Sequence, residues 1–330
     1  MQRLLAAESA HVAEIARAIR DFNPAFVSIA ARGTSDNAAR YAQYLWGAYA
    51  RLPVALATPS LHTLYDAPPD LSRALVIGVS QSGQAEDARR VLADAREQGA
   101  FTLSITNDPD SPMAQTAAHH ISLQAGPEIS IAATKTYTAE LTVMAMLAGA
   151  LTESAEIRDA LQQLPALARE TLRLSEPIST WAERYRYMAQ FATIGRGYNY
   201  CTAFEVNLKI TELCYITGSG FSEADFRHGP IAMIQPGFPV ITVAPAGKTL
   251  PKLVNLLEKL NERHAENLVI SNDNTALALA HKTMRLPNIP EWLSPIIAVL
   301  PGQLFGFRLA QVMGHPVDKP EGLSKVTVTE

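Results

Sequence analysis

Cysteine is scarce in this chain, and so is net charge. Cys201 and Cys214 are the only two cysteines among 330 residues. So few exclude a disulfide scaffold and point to a reducing, cytoplasmic setting. A formal net charge of -4 offers no basic surface for nucleic acid. Long hydrophobic runs are missing as well. Region 137–151 is broken by Glu140 and is too short to span a bilayer. Residues 1–19 carry Glu8, Glu14 and Arg17 without a long apolar core, so they read as an amphipathic helix and not a signal peptide. No GxxxxGK[ST] pattern occurs, which removes a nucleoside triphosphate as the natural guest. What remains is 48% hydrophobic and 18% charged, the balance of a packed globular chain long enough for two domains.

Residues 75–92 organise the rest. Residues 75–79 form a short apolar, β-branched run, as in a parallel strand covered on both faces. Ser80-Gln81-Ser82-Gly83 is a turn, and the following Glu86, Asp87, Arg89 and Arg90 are spaced with Ala88, Val91 and Leu92 as on an amphipathic helix. A strand entering a helix through such a turn presents backbone N–H groups and hydroxyls to an anion, typically a phosphate. Further strands are predicted at 26–31, 54–57, 101–106, 119–123, 192–194, 239–243, 268–271 and 282–286. Helices are predicted at 3–20, from after Gly33-Thr34-Ser35-Asp36 to about Trp46, and at 134–151, 201–213, 250–264 and 293–313, with helical pattern over 152–180. The alternation argues for an α/β fold with parallel sheets, divided into residues 1–172 and 173–330.

The two halves echo each other. Val79-Ser80-Gln81-Ser82-Gly83 matches Val243-Ala244-Pro245-Ala246-Gly247 at an offset of 164. Ile105-Thr106-Asn107-Asp108 matches Ile270-Ser271-Asn272-Asp273 at 165, and Gly33 aligns with Gly195 at 162. A tandem duplication explains all three. The second turn has lost its hydroxyls, and Pro245 has no N–H to give. One phosphate site is therefore expected, in the first half.

The second half offers acid, base and amine groups. Lys209 and Glu212 lie at i, i+3 on a predicted helix, with Glu205 two turns before Glu212. On pattern alone such a pair reads as a solvated surface ion pair. His228 follows in a turn-like stretch, 225–230, and Lys325 lies in the tail. These are groups able to open a sugar ring, move a proton between adjacent carbons and form a Schiff base. His119 and His120 alternate across a strand and cannot share a metal.

Taken together, Gly33-Thr34-Ser35, Ser80-Gln81-Ser82-Gly83, residues 125–129 with Thr134-Lys135, Glu205 through Glu212, His228-Gly229-Pro230 and residues 317–330 resemble the SIS (sugar isomerase) family. Within it they resemble the isomerase half of glutamine–fructose-6-phosphate aminotransferase. The resemblance implies two flavodoxin-like SIS subdomains, a homodimer, and no metal or other cofactor. It implies a sugar 6-phosphate held by Ser35, Ser80, Gln81 and Ser82, with Gly33, Thr34, Ala85, Ile131 and Ala133 also lining that site. It implies Glu212 as the base between C1 and C2, Lys209 assisting it, His228 opening the ring from the neighbouring subunit, and Lys325 forming a Schiff base. Two positions depart from the family pattern: Ala85 where a Thr is usual and Ala133 where a Ser is usual, each removing a hydroxyl worth roughly 0.5–1.5 kcal/mol.

The chain begins Met1-Gln2-Arg3, without the N-terminal Cys of a glutaminase, and its cysteines read as buried apolar residues. Glutamine-dependent amination by this chain alone is not expected. The leading expectation is an isomerase/deaminase acting on glucosamine 6-phosphate or fructose 6-phosphate. The alternatives are a deglycase of fructosamine-type 6-phosphates and a non-catalytic sugar-phosphate sensor. Small-molecule sugar phosphates, and neither nucleic acid nor membrane, are the expected partners.

Overall fold

Every residue of the strand Ala74–Ser80 is buried. An apolar β-branched run does this when helices cover both faces of a parallel sheet. The computed structural model describes residues 1–325; residues 326–330, the end of the tail in the family resemblance, lie outside the described residues.

The first unit comprises Met1–Leu164, with Ser324 and Lys325 of the tail. Its elements are α1 (Gln2–Phe22), β1 (Phe26–Ala30), α2 (Gly33–Tyr49), β2 (Val54–Leu56), α3 (Ser60–Thr63), β3 (Ala74–Ser80), α4 (Glu86–Glu97), β4 (Phe101–Thr106), α5 (Pro112–Thr116), β5 (His119–Ser122) and α6 (Lys135–Leu151). The strands form one parallel sheet in the order β2-β1-β3-β4-β5. Ala30, Val76, Ala88, Val91 and Leu92 belong to the core between strands and α4. α6 is buried along most of its length, as its apolar sequence requires.

The second unit is Pro165–Leu323. The division expected near residue 172 instead falls at Pro165, inside α7 (Ala155–Leu174), because one helical run carries the chain across it. The tail residues Ser324 and Lys325 also group with the first unit and not the second, since the Lys325 ammonium donates to the Ser130 carbonyl. Then come α8 (Ile178–Trp181), β6 (Gln190–Gly195), α9 (Tyr200–Cys214), β7 (Thr217–Ser222), α10 (Glu223–Arg227), β8 (Pro239–Val243), α11 (Leu250–Glu262), β9 (Glu266–Ser271), α12 (Asn274–Ala278), β10 (Lys282–Arg285) and α13 (Pro295–Met313). The sheet is again parallel, in the order β10-β9-β8-β6-β7.

Strand for strand this order repeats the first: β6 stands for β1, β7 for β2, β8 for β3, β9 for β4 and β10 for β5. The two βα turns after β1 and β6 match in backbone as well. Arg32 (φ -136°, ψ 151°) precedes Gly33 (φ 53°), and Arg196 (φ -150°, ψ 150°) precedes Gly197 (φ 60°). Gly33 thus corresponds to Gly197 and not to Gly195, and the offset is 164, the same as at the turns after β3 and β8.

α13 is long and apolar enough to cross a membrane by length and composition, but most of that stretch is buried inside the protein. Its Gly306 carbonyl accepts the Cys214 thiol. Both cysteines are buried and neither forms a disulfide, and burial pushes the Cys214 thiol up to about 12.

Candidate functional site

In the first unit the turn after β3 engages its two hydroxyls as acceptors. Gly83 N–H donates to the Ser80 hydroxyl oxygen at 3.1 Å, and Gln84 N–H donates to the Ser82 hydroxyl oxygen at 3.3 Å. Each hydroxyl therefore accepts from its own loop and keeps its proton for another acceptor. Asn107 N–H donates to the Gln81 carbonyl at 3.1 Å, and Met113 N–H to the Gly83 carbonyl at 3.2 Å, which pins the turn from both sides. Gly83 is required twice over. Its φ is 67°, and a Cβ there would lie 2.1 Å from the Ser111 hydroxyl. Ala85 is the N-cap of α4 and has no side chain to cap it.

Asn107 also ties this turn to the next loop, donating to the Gly126 carbonyl at 2.8 Å and accepting from Ala125 N–H at 2.9 Å. That loop ends at α6, whose N-terminus is capped by Glu128. Its carboxylate accepts from Thr134 N–H at 3.0 Å, Lys135 N–H at 2.7 Å and the Thr136 hydroxyl at 2.5 Å. Ile131 and Ala133 sit half-buried in the same loop, beside Ser130. The structure therefore brings Lys325 to the loop holding Ile131 and Ala133, although nearly 200 residues separate them.

Ser35 is placed differently. It is buried, and its hydroxyl donates to Glu140 Oε1 at 2.8 Å. It can turn to a phosphate only by leaving that carboxylate. Gly33 and Thr34 lie at the start of α2, after the exposed Arg32.

In the second unit the turn equivalent to Ser80–Gly83 is closed from within. The Glu291 carboxylate accepts from Lys248 N–H at 2.8 Å, Thr249 N–H at 3.1 Å and the Thr249 hydroxyl at 2.6 Å. It lies so close that a Cβ on Gly247 would be 2.3 Å from it. Thr249 is the counterpart of Ala85.

α9 carries the charged cluster. Lys209 Nζ lies 2.5 Å from Glu212 Oε2 and 3.5 Å from Glu205 Oε1. This is no surface pair: the Lys209 and Glu205 side chains are fully buried, while that of Glu212 is 22% exposed. Burial works to lower the Lys209 pKa, but the carboxylates of Glu205 and Glu212 outweigh it and hold the ammonium above its ordinary value. A charged amine clamped in this way orients a carboxylate and is not itself a nucleophile. Glu212 is the member of the cluster that meets solvent. His228 is exposed at the C-terminal end of α10, its N–H bonded to the Asp225 carbonyl at 3.0 Å. Beside it, buried Glu223 accepts from both Arg196 and Arg227.

Sequence reasoning took Glu128 only as part of the 125–129 segment and Asp87 only as a helix residue, and did not name Glu291 or Arg32. An acidic residue before a Thr-Lys-Thr helix start was a readable sign for Glu128; Glu291, 42 residues beyond Thr249, gave none. Among the described residues no group of three His, Cys, Asp or Glu could hold a metal ion.

The SIS domain model matches residues 26–150 and 189–313, one match to each unit. The glutamine–fructose-6-phosphate aminotransferase of Pyrococcus horikoshii is 34% identical over 92% of this chain and 52% of its own length. The chain thus spans about half the length of the curated relatives it matches. A Silicibacter pomeroyi protein solved as a candidate phosphosugar isomerase superposes with a TM-score of 0.84 at 30% identity, covering 96% of this chain and 95% of that one. Glucosamine-6-phosphate deaminase from Thermotoga maritima shares the fold at a TM-score of 0.79, with 18% identity and 99% coverage of both chains. With both of its units matched in this way, the chain belongs to the SIS domain family.

Proposed function

We propose that this chain is an aldose–ketose isomerase and deaminase of amino-sugar phosphates, acting on glucosamine 6-phosphate or fructose 6-phosphate. The observation that carries the reading is the α9 cluster. A partly exposed Glu212 carboxylate is fixed by a buried, charged Lys209, which is what a base moving a proton between neighbouring carbons requires. The Ser80, Gln81 and Ser82 turn, with the N-terminus of α4, holds the 6-phosphate.

The reaction then runs as follows on glucosamine 6-phosphate. His228, supplied by the neighbouring subunit of a homodimer, moves the C1 hydroxyl proton to the ring oxygen and opens the ring. Glu212 takes the C2 proton, and the C1 carbonyl oxygen takes up a proton as the enolamine forms. Glu212 returns its proton to C1, leaving an imine at C2. The Lys325 amine adds at C2 and expels ammonia, and water hydrolyses the resulting Schiff base to fructose 6-phosphate. The setting is cytoplasmic, and neither nucleic acid nor membrane takes part.

The test is purified protein incubated with glucosamine 6-phosphate, with ammonia and fructose 6-phosphate measured. Release of both, lost in Glu212→Gln, is expected. No turnover, or equal turnover in the variant, contradicts the reading. A second reading, cleavage of fructosamine-type 6-phosphates, is favoured by Ala133: without the usual hydroxyl, the loop near Lys325 has room for a bulkier amine. Faster turnover of an amino-acid adduct of the sugar phosphate than of glucosamine 6-phosphate identifies it.

A further inference from the structure

Arg32 takes no part in the function as described, yet it stands at the phosphate turn. The β1–β3 ladder pairs Ala30 with Gly78, and two residues further along each strand stand Arg32 and Ser80. Arg32 Nε donates to Asp87 Oδ2 at 2.6 Å. Asp87 is buried in the first turn of α4, immediately beyond the Ser80–Gly83 turn. This contact uses one edge of the guanidinium. Its terminal Nη groups make no hydrogen bond among the described residues, and the side chain is 49% exposed.

The turn needs such a group. Residues 80–85 carry no positive charge, and Glu86 and Asp87 follow at the start of α4. A phosphate dianion there meets hydroxyls and N–H groups, but also two carboxylates. Ala85 withholds one further donor. A guanidinium can bond a carboxylate along one edge and an anion along another, which a lysine ammonium cannot reproduce.

The second unit supplies the contrast. Arg196 occupies the equivalent position with the same backbone conformation. Its guanidinium is drawn to Glu223 on α10, which follows β7, on the side of β6 away from β8. The turn after β8, which Arg196 thereby leaves, is the one closed by Glu291.

We propose that Arg32 is the cation that binds the substrate's phosphate, its terminal nitrogens aimed at the Ser80–Gly83 turn by Asp87, a positioning residue. The inference rests on the reading of that turn as the phosphate site. It sets specificity: Arg32 makes the protein prefer phosphorylated to bare sugar.

The experiment is calorimetric titration of glucosamine 6-phosphate, inorganic phosphate and unphosphorylated glucosamine into the Glu212→Gln protein, which binds without turnover and serves here as wild type, and into the same protein carrying Arg32→Gln, Arg32→Lys, Asp87→Asn or Ser80→Ala. Arg32→Gln keeps an amide to satisfy Asp87 and so preserves the fold. It is expected to weaken both phosphate-bearing ligands at least tenfold and to leave glucosamine unchanged. Arg32→Lys and Asp87→Asn are expected to fall between it and wild type. If Ser80→Ala weakens phosphate binding and Arg32→Gln does not, the role of Arg32 is overturned while the turn remains the site. If neither does, the turn itself is not the site. A lower melting temperature in Arg32→Gln with unchanged phosphate preference makes Arg32 purely structural and overturns the proposal.

Discussion

The turns after β3 and β8 descend from one pattern and have taken opposite courses. In the first unit two hydroxyls accept from their own loop, which leaves their protons for another acceptor, and α4 begins at an alanine without a side-chain cap. In the second, Ala244-Pro245-Ala246 has lost the hydroxyls, and the Glu291 carboxylate lies where an anion would bind. A helix N-terminus attracts negative charge wherever it stands. What separates a ligand site from a structural cap is whether the protein has already supplied the charge. The second unit instead holds a buried ion cluster on α9.

The largest effect expected is on that cluster. Glu212→Gln removes the proposed base and should lower deaminase turnover by about a thousandfold, within the span general base catalysis supplies. Phosphate binding should be unchanged in the same variant. If binding fell equally, the division of labour between the units would fail.

Lys209→Met removes the ammonium that pairs with both Glu212 and the fully buried Glu205. Breaking a buried pair costs about 3–5 kcal/mol, to be read from urea unfolding. The pH dependence has a definite sign. Because the folded-state pKa of Lys209 is raised, its contribution is fully present below the ordinary lysine value of 10.5 and is lost as pH rises through the raised one. Wild type should therefore lose this increment only in strongly alkaline solution, and the Lys209→Met protein should show no such step.

Glu291→Ala tests the closed turn. It uncaps α11, at a cost of about 1–2 kcal/mol in thermal unfolding. Added sulfate should restore part of the loss in this variant. A loss that sulfate does not touch would mean that the second turn is no longer an anion site even when emptied.

The smallest effect expected is a gain. Ala85→Thr places at the N-cap of α4 a hydroxyl that can accept from an N–H of the first turn, which Ala85 cannot, and should stabilise the protein by about 1 kcal/mol. Phosphate affinity should tighten several-fold in titration. No change in either would mean that this N-terminus is satisfied in some other way.

Much of the architecture is legible in the sequence because its signals are local. Apolar β-branched runs and helical periodicity mark nine of the ten strands and all the long helices among the described residues. β7 escapes because Thr-Gly-Ser-Gly-Phe-Ser has two glycines and no apolar alternation. It is an edge strand held by its ladder to β6, not by its own propensity. The misalignment of Gly33 with Gly195 has a similar cause: φ distinguishes the glycines, and spacing alone does not.

At the site, residue identities are readable and environments are not. Lys209 and Glu212 have the spacing of a solvated pair, and only the packing of α9 makes Lys209 buried. The inward turn of Ser35 to Glu140 depends on α6, 105 residues away. Glu291 acts across 42 residues, and no local pattern reports that it fills the second turn.

We propose that one turn binds phosphate and that its twin does not. The most direct test is titration of glucosamine 6-phosphate into the Glu212→Gln protein, with and without Ser80→Ala and Ser82→Ala together. One site per chain is expected, weakened at least tenfold by the paired serine substitutions. Two sites per chain, or an affinity indifferent to both serines, would contradict it.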